Sequence, residues 1–273
     1  MKKMTALLLS AALLCPTLAL AEDTVKIGIF EPMTGATAAG GSMEKEGFDL
    51  ANELYPDVLG KKIELVYGDN KSDRAEATLA AQSLVDKGVI AVLGSYASGL
   101  SMAGGEVFAE SEIPALTATA TNPTVTLDCE WYARICFIDP FQGTMLARYA
   151  VKNDYKKIAI MREKDSEYAV GLVKYFQDEI AAHDGFEVVE LCDFMNKDED
   201  FSALLGAVLA KSPDVIFTSV SYADKAAQIM KQARALGYEG AFFGGDTLDA
   251  PELFSLYTAA LAAGGGEALA AWV

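Results

Sequence analysis

The stretch from Val89 to Pro123, VIAVLGSYASGLSMAGGEVFAESEIPALTATATNP, decides the fold of this 273-residue chain. It reads as strand, small-residue loop, helix, strand, small-residue loop. Ile90, Ala91, Val92 and Leu93 form a short apolar run between Gly88 and Gly94, which suits a strand covered on both faces. Gly94-Ser-Tyr-Ala-Ser-Gly99 then turns the chain and puts hydroxyls at the start of a helix. Ile113 to Leu116 repeats the strand pattern and opens into Thr117-Ala-Thr-Ala-Thr121. In an open parallel sheet, loops at the carboxyl ends of the strands share one crevice. Ser98, Thr119 and Thr121 therefore meet at one spot beside the free amides of a helix start, and such a spot suits a small anion. By residue pattern alone a plainer reading stands beside it, with Ser98 as a helix cap and the threonines as strand ends.

Upstream, Val25–Phe30 (VKIGIF) reads as a buried strand that ends in the loop Glu31–Gly35. The next helix carries Met43, Gly47, Leu50, Ala51 and Leu54 on one face at spacings of three and four, the mark of an inward stripe. Lys62–Tyr67 is a second strand. The helix after it sets Ala77, Ala80, Ala81, Leu84 and Val85 inward and closes on Gly88. Downstream, Trp131–Phe137 is a fifth strand, and Ile138-Asp-Pro-Phe-Gln-Gly143 leads into another helix.

The pattern then restarts. Lys157–Met161, Phe186–Cys192, Asp214–Ser219 and Ala241–Phe243 read as strands. Helices between them turn Ala169, Leu172, Val173, Phe176 and Ile180, and later Ala226, Ile229, Met230, Ala233 and Leu236, inward. Strands alternating with helices at this spacing give parallel βαβ units. The expected fold is α/β, with two doubly wound, Rossmann-like lobes joined by a compact hinge near Phe137–Gly143 and facing each other across a cleft.

Residues 1–21 read as a secretory signal peptide: Met-Lys-Lys, an apolar run from Ala6 to Leu20, and Ala19-Leu-Ala21 before Glu22. The chain carries 22 basic and 39 acidic residues. Losing the leader removes Lys2 and Lys3, which leaves 20 against 39 and a net charge of −19. That balance argues against nucleic acid and anionic membrane as partners. Enzyme chemistry is not expected either. The single histidine, His183, sits in a polar helix-end segment, and there is no G-x-S-x-G, P-loop or H-E-x-x-H sequence. Neither a cofactor nor a metal is expected, since no Cys-x-x-Cys or His/Cys cluster occurs. Cys129 and Cys136 are spaced to close a small loop as a disulfide in an oxidising compartment, while Cys192 reads as a buried small hydrophobe.

Taken together, VKIGIFEPMTG, GSYAS, TATATNP, RICFIDPFQG, KIAIM, QARALGY and FFGGD resemble, in order and spacing, the periplasmic solute-binding proteins of branched-chain amino-acid uptake systems. The resemblance covers nearly the whole mature chain and implies the type I periplasmic binding fold. It further implies an α-amino acid held between two closing lobes, delivered to membrane permease and ATPase subunits of an ABC importer by a monomeric periplasmic protein. By position, Ser98 and Thr121 would bind the ligand carboxylate, and Thr119 would accept from the ammonium through its backbone carbonyl. Asp246 falls where the family has an acidic ammonium partner. Tyr168 and Tyr222 match aromatic contacts from the second lobe, Tyr96 and Ala97 lie beside Ser98, and Asp139 matches a cleft-lining position.

The implied lobes are residues 22–138 and 139–247, with 248–273 returning to the first. Three departures stand out. Gly40 replaces an aromatic residue of the first loop, Tyr96 replaces smaller side chains, and the chain reads as truncated or altered near Leu261. A ligand-sensing module for amino acids or small amides on the same scaffold is the alternative reading.

Overall fold

The computed structural model describes residues 24–127, 129–250, Leu253 and Ser255; the expected leader and residues 256–273 lie outside them. The first sheet contains β1 (Thr24–Glu31), β2 (Asp57–Val58), β3 (Lys61–Asp69), β4 (Ala91–Leu93), β5 (Ala115–Thr117) and β6 (Tyr132–Arg134). Its order is β2-β3-β1-β4-β5-β6, parallel except for the short β2–β3 pair. Helices α1 (Ala38–Leu54), α2 (Arg74–Asp86) and α3 (Ser98–Glu110) connect these strands.

The chain then enters α4 (Asp139–Lys152) and builds the second sheet from β7 (Lys157–Glu163), β8 (Glu187–Phe194), β9 (Val215–Ser219) and β10 (Ala241–Gly244). That sheet is wholly parallel, in the order β10-β9-β7-β8. Its connecting helices are α5 (Glu167–Ile180), α6 (Ser202–Leu209) and α7 (Ala223–Ala235). The expected α/β architecture of two doubly wound lobes is therefore present, and each element sits within a few residues of its expected span.

Burial explains why the elements hold. In the first lobe Phe30 and Phe108 meet edge to face at 5.4 Å, fully buried with Ala77, Ala81 and Leu84. Gly104 makes room for the Phe30 ring. In the second lobe both sheet faces are covered. Leu172, Val173 and Phe176 of α5 pack with Ile160 and Phe217 on one face. Phe201, Leu205 and Ile229 pack with Met161 and Phe194 on the other. Each fully buried Leu, Ile or Phe side chain contributes about 1.5–3 kcal/mol.

Four expectations need correction. The stripe Met43, Gly47, Leu50, Ala51 and Leu54 faces outward on α1, while the helix turns Glu44, Phe48 and Asn52 toward the lobe. Gly41 closes against Pro32 and fixes that rotation, so close backbone approach rather than polarity chose the inward face. Leu236 is half exposed, because α7 has already ended at Ala235. Leu248, Ala250 and Leu253 pack into the second-lobe core, which extends that lobe past residue 247. Cys129 and Cys136 are not bonded to each other; the Cys136 thiol points to the Ala120 carbonyl at 3.6 Å.

The lobes join at Asp139, the first residue of α4, whose amide donates to the Thr121 carbonyl at 3.1 Å. The Asp139 side chain is completely buried, and neither oxygen has a well-formed hydrogen bond among the described residues. Burial pushes its carboxyl up to about 7; the Asp246 charge adds to this, and the Thr121 hydroxyl and Arg134 oppose it. Gly171 keeps α5 close, since a Cβ there would lie 3.4 Å from Asp139 Oδ2 and 2.9 Å from Asn122 Nδ2.

Two predictions follow from this packing. A Cβ on Gly143 would lie 2.7 Å from Tyr175 Cβ and 2.8 Å from the Phe176 amide nitrogen, whereas Gly206 has open space around it. Gly143→Ala should therefore cost about 1–3 kcal/mol of unfolding stability by overpacking, seen as a lower urea midpoint. Gly206→Ala should add about 0.5–1 kcal/mol through helix propensity, seen as a higher one. The folded chain also holds a proton on Asp139 that the unfolded chain releases near pH 4. Stability should then fall as pH rises toward about 7 and level off above it. Urea midpoints at pH 5 and pH 8 check this, and Asp139→Asn should shrink the difference.

Candidate functional site

In a doubly wound sheet, ligands bind outside the carboxyl ends of the strands where the strand order reverses. In the first sheet that point lies between β1 and β4, and in the second between β7 and β9. The loops leaving these four strands face one cleft of about 870 Å³ between the lobes. Topology alone thus delivers Tyr96–Ser98 from one side and Glu163–Ser166 with Ser221–Tyr222 from the other.

The first-lobe wall offers donors. Ala97 is the N-cap of α3, so Ser98 is not the cap; its side chain is buried, and its Oγ accepts the Asn122 amide at 3.2 Å. That bond leaves the Ser98 hydroxyl proton to give. The Ser98 and Gly99 amides at the start of α3 have no intrahelical acceptor, while Leu100 and Ser101 already donate to the Ala97 carbonyl. Thr121 is 1% exposed, and its hydroxyl lies on the buried Asp139 carboxyl, whose pKa it lowers. Hydroxyls and amides converging beside a helix N-terminus match a carboxylate.

The second-lobe wall offers an acceptor. Asp246 opens a short 3₁₀ turn, Asp246–Leu248, after β10. Its Oδ1 accepts from the Tyr168 hydroxyl at 2.6 Å and from Gln142 Nε2 at 3.2 Å, and its amide donates to Gln142 Oε1 at 2.6 Å. The carboxylate is open to the cleft yet walled by protein, and this partial desolvation raises its pKa against the opposing hydrogen bonds from Tyr168 and Gln142. The Tyr168 phenol is pushed well up, first by burial and then by the Asp246 charge, so it remains a donor. Tyr222 precedes α7 and donates to Asn196.

One device recurs in both lobes. Glu31 ends β1 fully buried, and its Oε2 accepts the Tyr96 amide at 2.8 Å. Glu163 ends β7 almost fully buried, and its Oε2 accepts the Ser221 amide at 2.7 Å. Each glutamate reaches across its switch point to hold the opposite loop. Burial, then the Asp165 charge, raises the Glu163 carboxyl to about 7 against the Ser221 amide and Lys225.

Ser98, Thr119, Thr121, Tyr96, Ala97, Tyr168, Tyr222 and Asp246 all line the cleft. Asp139 does not line it; it lies behind the wall at the hinge. Thr119 turns its hydroxyl to Glu44 and to the Tyr96 carbonyl. Glu44, Glu163 and Gln142 were not anticipated from the sequence. The parallel endings IGIFE and IAIMRE carried the signal for the strand-end glutamates. Also unforeseen is the rim contact between lobes, where Arg74 pairs with Glu167 and Asn122 Nδ2 donates to the Glu167 carbonyl at 2.9 Å. Gly99 lets the Glu167 carboxylate sit close, since a Cβ there would push that carboxylate aside. Among the described residues no group of acidic, His or Cys side chains is arranged to hold a metal ion.

The family model for periplasmic binding proteins matches residues 24–270. The Leu/Ile/Val-binding protein BraC3 of Rhizobium johnstonii is 31% identical over 264 residues, covering 94% of this chain and 70% of the relative. The leucine-binding protein LivK of Thermotoga maritima superposes with a TM-score of 0.82 at 37% identity, covering 87% of this chain and 67% of that one. The branched-chain amino-acid substrate-binding protein LivJ of Streptococcus pneumoniae, solved with isoleucine, gives 0.80 at 32% identity, covering 86% and 68%. The chain spans between 63% and 70% of the length of the first curated relatives it matches. Two Rossmann-like lobes, an interlobe cleft walled by donors on one side and an acid on the other, and this breadth of match place the chain in the periplasmic binding protein family.

Proposed function

We propose that this protein captures a small α-amino acid, of the branched-chain or a related aliphatic class as in its named relatives, by closing two lobes over it. The observation that carries the reading is the split of charge across the cleft. Ser98 has a hydroxyl proton to give at the start of α3, with Thr121 next to it on the cleft wall, and Asp246 presents a carboxylate from the opposite lobe. A zwitterion taken out of water needs both ends matched, or desolvation defeats binding. Hydroxyl and amide donors near Ser98 on one wall and the Asp246 carboxylate on the other meet that need.

Ligand bridging the walls favours the closed arrangement, because only that arrangement contacts it from both sides. The Arg74–Glu167 pair and the Asn122–Glu167 bond already tie the rims together. The lobes in this reading are residues 22–138 and a second unit from 139 to at least Leu253. Capture requires no bond making. The leader, residues 1–21, exports the chain, which acts as a monomer and docks closed on the permease of an ATP-driven importer.

Calorimetry with the twenty amino acids and with deaminated analogues tests this. Asp246→Asn should weaken L-leucine binding by about 30- to 5000-fold, the range for removing the charge of one partner of a buried pair. It should leave 4-methylpentanoate, which lacks the ammonium, little changed. Equal loss for both would remove Asp246 from the ammonium role.

A further inference from the structure

Asp246 is held by a residue that does not itself line the cleft. Gln142 lies in the first turn of α4, 8% exposed, three residues after the junction residue Asp139. Its side-chain amide meets Asp246 twice. Nε2 donates to Oδ1 at 3.2 Å, and Oε1 accepts the Asp246 amide at 2.6 Å. The Tyr168 hydroxyl gives its proton to the same Oδ1 at 2.6 Å. Oδ1 thus carries two side-chain donors, and neither of them bonds Oδ2.

The clamp works in one sense only. The Asp246 N–H needs an acceptor, so Gln142 turns its oxygen there and its NH2 falls on the carboxylate. Turned over, the amide would set N–H against N–H and oxygen against Oδ1. Gly245 makes the space, because a Cβ on it would strike both Gln142 Oε1 and the Tyr168 hydroxyl. Gly143, the next residue, lets α4 lie close against Tyr175 and Phe176 of α5, which holds Gln142 in place. The clamp also acts on charge. Burial raises the Asp246 carboxyl, and the hydrogen bonds from Tyr168 and Gln142 lower it. The titratable groups that face it are Tyr168 from α5, Asp139 at the start of α4 and Cys136 from the segment before α4. None of these is a cation, so hydrogen-bond donors keep Asp246 ionised in the empty cleft.

We infer that Gln142 is the positioning residue of the ammonium subsite: it turns Asp246 so that Oδ2 meets the ligand, and holds that acid one helical turn from the lobe junction. The inference rests on the zwitterion reading and adds to it a residue that never touches the ligand. Asp139, the first residue of the same helix, bonds through its amide to the Thr121 carbonyl on the opposite wall. One turn of α4 therefore sets the acid in register with the wall that receives the carboxylate.

The test is calorimetry on the full chain at pH 7.5 with L-leucine and 4-methylpentanoate, and with L-leucine again from pH 5 to pH 8. Gln142→Met fills the same space without a donor or an acceptor. It should weaken L-leucine by about tenfold, the scale of one hydrogen bond to a charged group, and leave 4-methylpentanoate little changed. Made in the Asp246→Asn chain, the same substitution should cost L-leucine less than about twofold, because the two losses are one loss. The ligand ammonium needs the ionised acid, and the variant lacks a donor that keeps it so. Its loss of L-leucine affinity on acidification should therefore begin at higher pH than in the unsubstituted chain. Equal weakening of both ligands, or an acid limb that does not move, overturns the positioning role and leaves the zwitterion reading standing. Failure of every amino acid to bind the unsubstituted chain overturns both. If Gln142→Met does not fold, the unsubstituted chain crystallised with L-leucine decides: the ammonium should lie on Asp246 Oδ2, and an ammonium on Oδ1 overturns the assignment.

Discussion

A buried glutamate at the end of the first strand of each lobe fixes where the cleft loops stand. Glu31 takes the Tyr96 amide and Glu163 takes the Ser221 amide, each reaching across the switch point of its own sheet. A carboxylate accepting a backbone N–H in a dry setting makes a short, charge-assisted bond. Losing it would leave both groups unsatisfied in the interior. Part of the cleft lining hangs on these two loops. Ser98 follows Tyr96 by two residues, and Tyr222 follows Ser221 directly.

From those anchors the two walls acquire opposite character for local reasons. The first lobe places a helix start and free hydroxyls at its switch point, so it donates. The second lobe ends its last strand in Gly244-Gly245-Asp246, and Tyr168 with Gln142 steadies the acid, so it accepts. Glycine is needed at that turn because a Cβ on Gly245 would strike the Tyr168 hydroxyl and Gln142. Opposed walls on separate lobes make binding and closure one event. The rim pair Arg74–Glu167 then closes the edge that the ligand does not touch.

Much of this was legible in the residues. Short apolar runs locate the long strands, and α5 buries Ala169, Leu172, Val173, Phe176 and Ile180 as its spacing requires. Ser98 and Thr121, expected from strand-end position, and Tyr168, Tyr222 and Asp246, expected from the resemblance, all stand on the cleft lining. The face of α1 did not follow, because its inward stripe is Glu44, Phe48 and Asn52, which no hydrophobic pattern marks. Glu44 was missed for the same reason: its burial comes from tertiary contact with Thr119 and Glu31, which sequence separations of 75 and 13 residues conceal. The Cys129–Cys136 pairing was permitted by spacing, but Cys136 turns instead to the Ala120 carbonyl.

The account stands on charge complementarity between the two walls, and a crystal structure of the protein grown with a bound α-amino acid examines it most directly. The ligand carboxylate should lie within hydrogen-bonding distance of Ser98 Oγ and Thr121 Oγ1, with its ammonium on the Asp246 carboxylate. A ligand seated in the reverse sense, or bound away from the Ser98 and Asp246 loops, would contradict it.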